Sequence, residues 1–198
     1  MGWTQWLRRL AGAGAVGAAA PGPAPEPLRI VRKQDWQNLC EAIMHVLAPA
    51  QTDALSAEVV LALTHPELYF SRFADELEQR GIEEPREVTP WLALVDGLQR
   101  RELGVEMDWK LGMNDLVWNL SRLRISEERH VDYDALDVAE ISGFDALTEA
   151  AACLKPQGLA LAVFDIDSDS YPLVLLPVEQ MAAIEELARQ VGHKVSAF

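Results

Sequence analysis

Apolar residues recur at helical spacing over Trp36, Leu39, Cys40, Ile43 and Leu47, and Pro49 closes that run. A second helix is predicted over residues 56–63. Thr64-His65-Pro66-Glu67 then reads as a capping box with a proline in the first helical turn. The helix it opens carries Leu68, Phe70, Phe73 and Leu77 and stops at Gly81. Residues 82–88 form a charged loop, and Thr89-Pro90 opens a further helix that ends at Gly104. The stretch VEMDWK at 105–110 breaks the helical pattern and reads as extended. Asn114 is expected to cap a helix bearing Leu116, Val117, Leu120 and Leu123. Residues 128–140 have no clear period and are expected to be irregular, and a helix follows over 144–154, before Pro156 and Gly158.

The last forty residues change the period. Leu159, Leu161 and Val163 point to one face of a strand, and Ala160, Ala162, Phe164 and Ile166 to the other. Apolar residues on both faces mark a strand covered from both sides. An acidic turn, a second apolar strand, a helix and a short final strand follow. The predicted class is α+β, with helices from the N-terminal two-thirds packed on a small, mainly antiparallel C-terminal sheet built as strand–turn–strand–helix–strand.

Residues 28–198 are expected to form the single α+β domain, behind a basic tail and an Ala/Gly/Pro-rich linker at 1–27. Trp3, Trp6, Leu7 and Leu10 lie on one side of a short helical pattern with Arg8 and Arg9 at its edge, enough for only weak contact with a membrane surface. The Ala/Gly run after Arg9 is too weakly apolar for an export signal, and Trp6 breaks the myristoylation pattern after Gly2. A cytoplasmic location is therefore expected. Cys40 and Cys153 fall on predicted helices among apolar neighbours and are expected to be buried, unpaired thiols.

The formal net charge of the chain is −14. Residues 1–33 hold five basic side chains and one acidic, a net of +4, which leaves −18 for the remainder. A body of that sign repels phosphate backbones and excludes nucleic acid as its partner. It attracts a basic protein instead, although acidity also serves solubility alone.

Asp165, Asp167 and Asp169 stand at alternate positions of the acidic turn, followed by Tyr171. The run begins like a calcium loop but carries Ser170 where an EF-hand needs Gly and Leu176 where it needs Glu. A solvated hairpin turn capped by Asp and Ser side chains is the expected structure. A surface for a partner and a looser oxygen-ligand site for magnesium or calcium are the functional alternatives. Asp108-Trp109-Lys110 is a second candidate, an acid, an aromatic and a base outside any helix. Its structural reading is that Trp109 packs while Asp108 and Lys110 pair on the opposite side of a strand. The four histidines, His45, His65, His130 and His193, show no metal-ligand spacing. No phosphate-binding loop, dinucleotide fingerprint or nucleophile elbow occurs, so no cofactor is expected and enzyme activity has no positive support.

Trp91–Asp96 (WLALVD), Asp108–Lys110 (DWK) and Asp167–Tyr171 (DSDSY) together resemble an uncharacterised bacterial family over residues 34–198. The resemblance implies a cytosolic bacterial protein and supplies no catalytic residue. The small, acidic α+β build is also similar to that of toxin-immunity proteins, an analogy of class only. Two functions remain in view. One is a protein-binding module, with Asp165, Asp167, Asp169, Tyr171, Asp108, Trp109 and Lys110 as candidate contacts. The other is a divalent-metal protein or metal-dependent enzyme using Asp165, Asp167 and Asp169.

Overall fold

Among the described residues four short strands carry the architecture: β1 (Gly104–Asp108), β2 (Leu159–Phe164), β3 (Ser170–Pro177) and β4 (Val195–Ala197). They pair in the order β1-β3-β2-β4, every pair antiparallel. The computed structural model describes residues 31–136 and 141–198, all within one compact unit, Val31–Phe198. The tail and linker expected at 1–27 lie outside the described residues, as do the first positions of the domain and residues 137–140.

Strand alternation assigns the two faces of the sheet. Ala162, Phe164 and Val174 project toward α1 (Lys33–Leu47), α5 (Pro90–Gln99) and α9 (Met181–Gln190). Leu161, Leu173, Tyr171 and Phe198 project toward α6 (Met113–Ser121) and α8 (Gly143–Leu154). The central strands β2 and β3 are buried on both faces, as their unbroken apolar runs predict. A second helical layer, α2 (Thr52–Thr64), lies against α1 and α5. Gly97 permits that approach: a Cβ there would meet Leu55 Cδ1 at 2.4 Å.

α3 (Pro66–Arg72) and α4 (Ala74–Gln79) are held by a separate small core of Ala62, Tyr69, Leu77, Val88 and Ala93. The sequence pattern read these two as one helix; Phe73, at φ −119°, interrupts it. The expected capping box is absent. Thr64 ends α2 and gives its hydroxyl to the Val60 carbonyl, and His65 takes the cap position without a side-chain bond to the helix N-terminus. Tyr69 fills the core while Leu68 is 59% exposed. Further along, Thr89 caps α5 through the Leu92 N–H as its Thr-Pro signature predicts. The cap of α6 is Gly112, not Asn114, which lies inside the helix. A short helix, α7 (Arg124–Arg129), takes up the first two residues, Glu128 and Arg129, of the stretch expected to be irregular.

Candidate functional site

Motif by motif, the site assembles at one end of the sheet. A cleft of about 760 Å³ opens between α4 and α5 on one side and the β1 and β3 tips on the other. Helices α4 and α5 bring Glu76, Gln79, Asp96, Gln99 and Arg100, and Arg80 follows directly after α4. The sheet side brings Glu106 and Asp108 from β1, Trp109 just after it, Ile166, Ser168 and Asp169 from the turn before β3, and Ser170 at the start of β3. Asp96, Asp108-Trp109 and Ser168–Ser170 come from the three segments that carried the family resemblance, so those segments meet here.

Arg80 is the central cation of the cleft. Its Nε donates to Asp96 at 2.6 Å and its Nη2 to Glu106 at 2.6 Å. Glu106 also accepts from Gln99 at 3.1 Å and from the Ser170 hydroxyl. Burial raises the Asp96 carboxyl above its ordinary range, and the Arg80 guanidinium only partly offsets this. Burial acts on Glu106 in the same sense, but the hydrogen bonds from Arg80, Ser170 and Gln99 outweigh it and hold that carboxyl low. One guanidinium is thus divided between two acids, and the more enclosed one, with 8% of its side chain exposed against 21%, is the one left raised.

Beside this group, Arg100 pairs with Glu58 at 2.6 Å and with Glu76, and lies 4.2 Å over the Phe73 ring. Arg101 reaches the other oxygen of Glu58 at 2.8 Å. Burial opposes the charge on Glu58, but the bonds from Arg101 and Arg100 hold its carboxyl below the ordinary range. These ties fasten α2 and α4 to the end of α5 and so fix one wall of the cleft.

The other wall is set by turns. Asp165 accepts the Asp167 N–H on its carboxylate at 2.9 Å, and Asp167 takes a left-handed conformation, φ 57°. The Ser168 hydroxyl accepts the Ser170 N–H at 3.1 Å. The expected turn capped by Asp and Ser side chains is therefore what forms. Of its three aspartates only Asp169 lines the cleft. Among the described residues no group of three or more His, Cys, Asp and Glu side chains is placed to hold a metal ion. Tyr171 faces away from the cleft, its ring 6.5 Å from that of Phe198 on the opposite sheet face.

Asp108, Trp109 and Lys110 depart from the expected strand. β1 ends at Asp108, whose carboxylate accepts the Lys110 N–H at 2.8 Å across a turn. Trp109 does not pack; it is 51% exposed at the cleft mouth. Lys110 does not pair with Asp108; its ammonium lies 4.8 Å from the centre of the Trp109 ring. Sequence reasoning missed Arg80, Glu106 and His193. Glu106 carried a signal, since it stands two positions before Asp108 and strand alternation places both on one face. Nothing local marked Arg80 or His193. His193 stacks flat on Trp91, with centroids 4.5 Å apart and planes within 3°. Burial lowers its pKa, and Asp165 partly opposes that.

Fold and site together define a small α+β domain with a charged cleft between a helical layer and the tips of an antiparallel sheet. Residues 36–198 match the model of the family described as a domain of unknown function, DUF6630, and the chain belongs to that family. No match is found among curated proteins or among solved structures.

Proposed function

We propose that this chain is a non-enzymatic protein-binding module of the bacterial cytoplasm, and that its cleft receives a basic segment of a partner protein. The observation that carries this reading is the make-up of the cleft. Five carboxylates and two guanidiniums line it, a formal net of −3, with a half-exposed tryptophan at its mouth. Negative clefts with low-dielectric walls concentrate cationic partners, and exposed tryptophan supplies contact area with little side-chain freedom to lose.

The internal pairing favours binding over acid–base chemistry. Asp96 and Glu106 are both committed to Arg80. Asp169, by contrast, makes no hydrogen bond or ion pair among the described residues and is open to a ligand. An immunity-like inhibitor of a basic protein is the sharpest version of this proposal, supported by the overall charge of −14.

Isothermal titration with an acetylated hexa-arginine peptide tests it. Binding is expected at low salt, weakening as salt rises, and Trp109→Leu and Asp169→Asn should each reduce it severalfold. Both positions are exposed, so the variants should fold. Absence of binding, or binding indifferent to both substitutions, overturns the proposal.

A further inference from the structure

We propose that Lys110 is a built-in occupant of the cation site, an internal stand-in that the partner's arginine displaces from Trp109. This rests on the binding reading above. It begins from the contact already described: the Lys110 ammonium sits 4.8 Å from the Trp109 ring centre, on an indole that is half exposed. The turn holds it there. The Asp108 carboxylate accepts the Lys110 N–H at 2.8 Å, which fixes the backbone so that the lysine chain folds over its neighbour. Among the described residues the ammonium makes no ion pair, although Asp108 and Asp169 both line the adjacent cleft.

A free carboxylate lines the same cleft mouth. Asp108 pairs with Ser170 as the last rung of the β1–β3 ladder, and the residues that flank that rung, Trp109 after Asp108 and Asp169 before Ser170, both line the cleft. An incoming guanidinium can stack on the ring and pair with a carboxylate at once, because it is planar, weakly hydrated and forked. An ammonium is a strongly hydrated point charge, and Lys110 uses only the ring. An exposed cation–π contact is weak enough to be exchanged. Arginine therefore displaces the resident lysine, which lowers the apparent affinity for every incoming cation and most of all for lysine side chains, which have no advantage over it.

The sign of the effect distinguishes this from an ordinary contact. Removing Lys110 should tighten binding. With the acetylated hexa-arginine peptide as probe, Lys110→Met should lower Kd by about two- to five-fold, and Lys110→Arg should raise it or leave it unchanged. Loss of any positive charge also favours a cationic peptide, so the decisive measurement is a double-mutant cycle. In a Trp109→Leu background, Lys110→Met should change Kd by clearly less, and Lys155→Met, at a helical position away from the cleft, should have only the smaller screening effect. If Lys110→Met weakens binding, or tightens it equally without Trp109, the stand-in is overturned while the binding reading survives. If neither the unsubstituted chain nor any variant binds the peptide, both fall together.

Discussion

The indole N–H of Trp91, in the first turn of α5, donates to the backbone carbonyl of Asp165 at 2.7 Å, 74 positions along the chain. The same ring is sandwiched between Phe164, at 5.6 Å, and His193, at 4.5 Å. One buried side chain thus fastens the helical layer to the end of β2 and to the turn that forms a cleft wall. Trp91→Phe keeps an aromatic surface but orphans the Asp165 carbonyl. The expected loss is about 1–3 kcal/mol for the unmet acceptor, read by urea unfolding, with faster amide exchange through residues 165–170. Unchanged exchange in that turn would show that Trp91 does not position it.

Arg80 is the second fastening. Arg80→Met leaves Asp96 and Glu106 without their shared cation, and at neutral pH the expected loss is about 3–5 kcal/mol. Acidification should shrink that loss, because protonation of Asp96 and Glu106 removes the charges that the substitution leaves unpaired. A loss that stays constant from pH 7 to pH 4 would count against the division of one guanidinium between two acids.

Acid stability follows from opposite shifts. Glu58 and Glu106 are held below the ordinary value of 4.5, so their stabilisation is present above that pH and is lost as pH falls through their lowered folded values. Asp96 is raised above its ordinary 3.8, so its contribution runs the other way: full below 3.8 and lost as pH rises through the raised value. Carboxyl carbon titration by NMR should therefore find Asp96 ionising above its ordinary 3.8 and Glu106 below its ordinary 4.5. A shift of either group in the opposite direction would contradict the geometry.

The two thiols should separate kinetically. Cys40 is fully buried and its pKa is pushed up to about 12 by burial, so it should resist labelling until the chain unfolds. Cys153 was expected to be equally buried, but it is only half enclosed at the outer edge of α8, beside the Gln157 amide. It should react in the native protein, slowed by burial and by the Asp132 charge, both of which raise its pKa. Mass spectrometry of partly labelled native protein checks this; equal rates at the two positions would refute it.

Gly143 links α8 to the cleft mouth. It has φ +60°, and a Cβ there would sit 3.0 Å from the Trp109 carbonyl. Gly143→Ala should cost about 1–2 kcal/mol for the left-handed backbone and should shift the Trp109 indole resonance. A stable variant with an unmoved indole would show that this contact does not place Trp109.

Local patterns reached as far as local physics allows. The helix from Trp36 to Leu47, the Thr89-Pro90 start and the strand pair flanking the acidic turn were all legible, because period and capping are set by neighbours a few residues apart. Errors fell where another segment competes. A single helical run was expected from Pro66 to Gly81, but its apolar residues serve a separate core, and the chain breaks at Phe73 to fill it with Tyr69 and Leu77. Trp109 was expected to pack, yet β1 is an edge strand that ends one residue earlier and leaves it in solvent.

The amino-acid sequence by itself determined an acidic α+β domain, a sheet buried on both faces, and three distinctive segments. Only the tertiary structure brought those segments to one place and decided what that place is. It brought Arg80 to Glu106 across 26 positions and Trp91 to Asp165 across 74, and it turned Lys110 back over Trp109. The physical reason is range. Periodicity records which side of an element is apolar, whereas a buried cation finds its carboxylates only after packing has removed the water that would otherwise solvate all three.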